Sequence, residues 1–169
     1  MPAGGGFAAE MNCTSCHQSY ALNPDDRGAV ELHGLPERYR PGERYSVTFA
    51  IRHPDAELLR WGFQLTAVAV RSFRGAGSFA ITDPANTQRI GGGDAGREYV
   101  EHTYPGSAPG RAGGNPWRFE WVAPESDVGD IAFFGSGIAS NVDGSNQGDR
   151  VFSPAPEALA IVLGPEPGP

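Results

Sequence analysis

The chain has 169 residues and a net charge of −7, and its thirteen basic residues are all arginine. A chain of this length suits one compact domain that buries about two-thirds of its unfolded surface without metal or disulfide staples, and an acidic surface with no basic cluster argues against nucleic acid and anionic membranes as partners. Hydrophobic residues make up 39% beside Gly 24 and Pro 15, which disfavours long helices, and no apolar run approaches the roughly twenty residues of a membrane span.

The first informative element is Cys13-Thr14-Ser15-Cys16-His17, which holds both cysteines of the chain. C-x-x-C-H is the attachment pattern of a c-type haem: the two thiols add across the haem vinyl groups, and the histidine ligates the iron from the proximal side. The competing uses of such a pair need more than the chain offers. A structural zinc site wants four Cys or His ligands, a thioredoxin-type pair belongs at a strand-to-helix junction, and a short-loop disulfide remains as the plain alternative. Asn12 or Thr14 is expected to cap one helical turn that puts both thiols on one side. Bacteria attach haem c outside the cytoplasmic membrane, so a periplasmic or extracellular, cell-surface location is expected. Met1-Pro2-Ala3-Gly4-Gly5-Gly6 has neither the charged start nor the apolar centre of a signal, so a signal is expected to have been removed.

Three zones follow from composition: a haem-attachment segment over 1–27, a β-rich body over 28–163 and a Pro/Gly tail over 164–169, expected to be disordered or extended. Asn23-Pro24-Asp25-Asp26 reads as a turn into the body, with its acids solvated. Val30 and Leu32 share one face of a first strand, and Tyr45, Val47, Phe49 and Ile51 one face of a second after the Pro41-Gly42 turn. Trp61 to Val70 reads as a third. Further strands are expected at Ser78 to Thr82, Arg97 to Tyr104, Trp117 to Val122, Gly129 to Phe134, Arg150 to Phe152 and Ala158 to Leu163. Nine strands at this spacing predict an all-β, antiparallel, immunoglobulin-like sandwich preceded by a short irregular or helical haem-binding segment.

Several short motifs occur in a recognisable order. Gly34-Leu35-Pro36, Tyr39-Arg40-Pro41-Gly42 with Tyr45, Gly62-Phe63-Gln64-Leu65, Tyr99 with His102-Thr103, Trp117-x-Phe119-x-Trp121-x-Ala123-Pro124 and Gly148-Asp149 together resemble the bacterial choice-of-anchor V proteins, which are similar to reelin-type (reeler) domains. The resemblance covers roughly residues 10 to 155 and implies an exported protein with a reeler-like sandwich and a haem motif at its start. Such proteins often continue into a surface-sorting or membrane anchor, which Gly164 to Pro169 does not offer.

A low-spin haem needs a sixth ligand. Met1 is terminal and Met11 is too close to Cys13 to reach the opposite face of the porphyrin, which leaves His33, His53, His102 or an open position. His102, placed on a strand face with Val100 and Tyr104, is the first choice as distal ligand; the alternative is a histidine bonded within the sandwich through Thr103 or Glu101. His53 precedes Pro54 in an exposed-looking turn, and His33 with Glu31 reads as a solvated edge. Two imidazoles would give a low potential. The tryptophans and Phe63, Phe119, Phe133 and Phe134 are expected to fill the core. Asp143 to Asp149 resembles a calcium loop but lacks the acid at position twelve, so a Gly-rich hairpin is expected. Ser136 is not in a nucleophile elbow, and Gly91-Gly92-Gly93 opens no helix. The expectation is a non-enzymatic, monohaem c-type cytochrome with one covalent haem c on Cys13, Cys16 and His17, passing single electrons to a redox partner protein or membrane electron-transfer complex. The alternatives are a docking subunit of a larger periplasmic redox or photosynthetic complex and a haem-free surface adhesion module.

Overall fold

The computed structural model describes residues 13–91, 94–154 and 157–165. Met1, Met11, Asn12 and the tail after Pro165 lie outside the described residues. Ten strands are present among those described: β1 (Ala29–His33), β2 (Arg44–Arg52), β3 (Arg60–Ala69), β4 (Ser78–Ala80), β5 (Thr87–Gly91), β6 (Glu98–His102), β7 (Gly114–Val122), β8 (Ile131–Ser140), β9 (Arg150–Phe152) and β10 (Ala160–Val162). They form two sheets, β1-β2-β7-β4 and β10-β8-β3-β6-β5, with β9 pairing β8. All ladders between named strands are antiparallel. The only helical pieces described are three 3-10 turns.

The period-two pattern dictates this arrangement, because alternate residues of each strand must leave water together. Val47, Phe49 and Ile51 of β2 and Trp117, Phe119 and Trp121 of β7 are buried, as are Trp61, Phe63 and Leu65 of β3 and Ile131 and Phe133 of β8. Rings from the two sheets meet between them: Phe49 and Phe63 stack at 4.9 Å, Phe63 lies 4.6 Å from Trp117, and Trp121 meets Phe133 edge-on at 5.1 Å. Each indole N–H finds a carbonyl, Trp61 on Arg111, Trp117 on Gly106 and Trp121 on Ala76, so burying these tryptophans strands no donor.

Three expectations about the strands change. β5 was not expected; its Thr-Gln-Arg-Ile-Gly sequence is exposed after Thr87 and has no alternation to read. β8 does not stop at Phe134 but continues to Ser140. A Cβ at Gly137 would lie 2.7 Å from Val30 and 2.8 Å from Ile51 of the facing sheet, so Gly135-Ser136-Gly137 continues the strand under close inter-sheet contact. Phe134, expected in the central core, packs instead with Val68 and Ala132 in a separate apolar cluster. The start of the tail is also held: Gly164 donates to Asp130 at 2.9 Å and accepts from Arg38 at 3.0 Å.

Candidate functional site

Because the Gly137 Cβ direction points at the facing sheet, its neighbours Ser136 and Ile138 turn to the outer face of the six-stranded sheet. The cysteine motif lies against that face. Cys13–Ser15 forms a 3-10 turn, closed by the N–H groups of Cys16 and His17 on the Cys13 carbonyl at 3.3 and 3.0 Å. Cys13 Sγ lies 3.1 Å from Ser136 Oγ. Both thiols are free, Cys13 half-buried and Cys16 exposed. Burial pushes the Cys13 thiol up, partly offset by the Ser136 hydrogen bond, so at neutral pH it stays protonated.

His17 is the best-supported side chain of the motif. Its Nδ1 lies 2.7 Å from Asp149 Oδ2, across 132 residues of sequence. The Asp149 side chain is 1% exposed, and that of His17 is 30% exposed. A carboxylate can only accept, so Nδ1 carries a proton, and in the neutral ring that leaves the lone pair on Nε2. The other Asp149 oxygen accepts from the Asn141 N–H at 3.3 Å. The loop between β8 and β9 clasps the motif further: Asn146 donates to the Cys16 carbonyl at 2.6 Å, and Gly148 donates to Ser19 Oγ at 2.8 Å. This loop is no mere hairpin tip; it receives the motif. Asp149 and Ser136 were not foreseen as parts of the site; the sequence signals for Asp149 were its place at the end of a Gly-rich loop and the Gly148-Asp149 pair among the family motifs.

His102 has a partner that strand periodicity did not suggest. Thr103 bonds the Ala85 carbonyl, and Glu101 accepts from Gln64 and Gln88, whereas His102 Nδ1 lies 3.2 Å from both the N–H and the C=O of Phe63. The β3–β6 ladder ends at Gln64 and Glu101, and the imidazole closes the open end. A Cβ on Gly62 would lie 2.7 Å from His102 Cε1, 3.1 Å from Nε2 and 2.7 Å from Ile138 Cγ2. The imidazole also lies 6.5 Å from the Phe63 ring and 6.4 Å from that of Trp117, so it sits at the open end of the ladder between the Gly62 backbone and the core. Tyr104, expected to share the face of His102, is 76% exposed beyond the strand.

The register relates these groups. Ser136 pairs with Gln64, and Ile138 with Gly62, so the contact point of Cys13 and the residue beneath His102 are one strand and two residues apart, about 8 Å. Asp149 precedes the Arg150–Ala139 pair and lies about 12 Å from Gly62 by the same geometry. Cys13 and His17 therefore lie against the outer face of the six-stranded sheet, whereas His102, two residues after core Val100, has its ring near those of Phe63 and of Trp117 from the facing sheet.

The other histidines are committed elsewhere. His53 is not exposed but 1% exposed: its Nδ1 accepts from the Asp55 N–H at 3.1 Å, and its Nε2 donates to Asp25 at 3.1 Å. Both nitrogens are used, which removes it as an iron ligand. Asp25 is correspondingly not a solvated turn acid, since it also accepts from the Arg27 and Gly28 N–H groups. His33 is exposed on β1 of the opposite sheet, 3.1 Å from Glu31, as expected of a solvated edge. Among the described residues no three His, Cys, Asp or Glu side chains gather to hold a metal ion; a haem iron, held mainly by its porphyrin, needs only one or two protein ligands. The thiol pair, the part-exposed His17 and the carboxylate behind its Nδ1 fit that group. No helix among the described residues is long and apolar enough to cross a membrane.

No family model matches the chain, and no curated protein sequence matches it. Its fold is similar to solved reeler domains. The human F-spondin reeler domain superposes with a TM-score of 0.55 at 19% identity, covering 86% of this chain and 90% of that one. The Reelin-N domain of F-spondin superposes with a TM-score of 0.55 at 20% identity, covering 86% of this chain and 87% of that one. At this identity the likeness is one of fold: a reeler-like β-sandwich.

Proposed function

We propose that this chain is an exported monohaem c-type cytochrome that carries single electrons and catalyses no reaction of its own. One haem c is tethered through Cys13 and Cys16, with His17 as proximal ligand and His102 as distal ligand. The haem iron supplies the one-electron chemistry when bound. The protein's share is to seat the motif against the outer face of the six-stranded sheet and to hold a proton on Nδ1 of His17. The observation that carries the reading is the His17–Asp149 hydrogen bond of 2.7 Å, because it leaves Nε2 of the motif histidine as the ligating nitrogen.

The resemblance to choice-of-anchor V proteins supports export to the periplasm or cell surface, where haem c is attached. The electron partner is a redox protein or a membrane electron-transfer complex. The test is the intact mass of protein purified from its native host, read beside a reduced-minus-oxidised visible spectrum. One covalent haem per chain with a c-type spectrum is expected. Unmodified thiols, or a mass showing only a disulfide, would sink this reading in favour of a haem-free adhesion or docking module.

A further inference from the structure

We propose that Asp149 is the positioning residue that sets the reduction potential of the haem iron, acting through His17; this rests on the haem reading above. The Asp149 side chain is 1% exposed, and His17 Nδ1 at 2.7 Å is its short charge-assisted partner. Its second oxygen takes one backbone N–H, from Asn141 at 3.3 Å. A carboxylate removed from water to this degree is stabilised by positive charge on its partner and by little else. Ferric iron carries one more positive charge than ferrous iron, and part of it spreads onto the ligating imidazole. A buried anion hydrogen-bonded to that imidazole therefore favours the ferric state and lowers the potential.

The local architecture makes this a device of the loop and not of the motif alone. Asn146 and Gly148 bond Cys16 and Ser19 from the same loop, so residues on both sides of the imidazole are tied to the loop that carries the carboxylate. Nothing in C-x-x-C-H requires a carboxylate behind the histidine. The loop supplies it.

The decisive change is Asp149→Asn, which keeps the shape and an accepting oxygen but removes the charge. In the haem-loaded protein it should move the ferric-to-ferrous equilibrium at least tenfold toward ferrous, a rise of about 59 mV for a one-electron couple. Glu120→Gln serves as control, since Glu120 pairs with Arg44 on the opposite sheet at 3.1 Å; it should leave the potential unchanged. A second measurement needs no variant and no haem. Nitrogen NMR of the His17 ring in the haem-free chain should show the Nδ1-protonated tautomer. A folded, haem-loaded Asp149→Asn protein with unchanged potential overturns the proposal, as does a His17 ring with no proton on Nδ1. Failure of the native protein to carry haem would instead refute the cytochrome reading, while the NMR result would still stand or fall by itself.

Discussion

Replacing His102 by alanine tests the distal ligand and the strand end together, and the structure separates the two effects. Phe63 is 1% exposed, and its N–H loses its acceptor when the imidazole goes. An orphaned buried donor costs about 1–3 kcal/mol, a fraction of the roughly 5–15 kcal/mol that holds a domain together, so the variant should fold with a lowered urea midpoint and an unchanged m-value. The haem-loaded variant should in addition lose its low-spin spectrum, because the sixth position opens. Tautomerism makes the prediction sharper. While Nδ1 accepts the Phe63 N–H, the proton sits on Nε2 and the ring cannot ligate. Ligation requires Nδ1–H to donate to the Phe63 carbonyl instead, also at 3.2 Å, and this strands the same N–H. Binding of His102 to iron is therefore weakened by about 1–3 kcal/mol, or about 5- to 150-fold, and added imidazole should displace it readily. His102→Asn offers an amide oxygen to the Phe63 N–H and should recover part of the stability without the low-spin spectrum. An unchanged low-spin spectrum in His102→Ala would refute the assignment and leave His102 as the plug of the β3–β6 ladder.

Two further outcomes follow from the carboxylates and thiols. Partial burial alone would raise the Asp25 carboxyl, but His53 and the Arg27 and Gly28 N–H groups outweigh it and hold it below the ordinary range. A depressed folded value means the ionised form adds stability above the unfolded pKa, and this is lost as pH falls through the folded one. The urea midpoint should thus fall below about pH 4, and Asp25→Asn should flatten that fall; equal slopes in the two proteins would refute the coupling. In the haem-free chain, exposed Cys16 should be alkylated before Cys13, whose thiol is half-buried and pushed up. Ser136→Ala should slow Cys13 further. Mass spectrometry of partly alkylated protein with Cys13 modified first would contradict the geometry.

What could be read locally was read well. Strands β2, β3 and β7 announce themselves by alternation, and the motif by its spacing. What depended on distant partners was not. His53 before Pro54 looks like a turn residue, yet Asp25, 28 positions away, accepts its proton, and the Phe152 ring lies 5.7 Å from it. Asp149 looks like one more loop acid until the sheet brings His17 to it. Gly135-Ser136-Gly137 shows no apolar alternation that would carry the strand past Phe134; the reason for a small residue at Gly137 lies in the facing Val30 and Ile51. In each case a side chain's role is set by a neighbour that no window of adjacent residues contains.

The placement of Asp149 next to Arg150 shows how the motif acquires the rigidity of the sandwich. Successive residues of an extended chain point to opposite faces, and here the two faces hold two different parts of the leading segment. Asp149 holds His17 on the outer face. Arg150, paired with inward-facing Ala139, reaches Asp55 at 3.0 Å and lies 3.9 Å from Asp25 and 5.8 Å from the centre of the Tyr20 ring. Asn23, between them in sequence, exchanges hydrogen bonds with Ser153, its Nδ2 donating at 2.6 Å and its Oδ1 accepting at 2.9 Å. One short strand thus fastens the segment at Asp149, Arg150 and the residue just past its end. A segment held at several points along one strand cannot pivot without unpairing that strand from β8. If the motif carries haem as proposed, an iron bound to a ligand fixed in this way would keep its geometry, and hence its potential, through changes of charge.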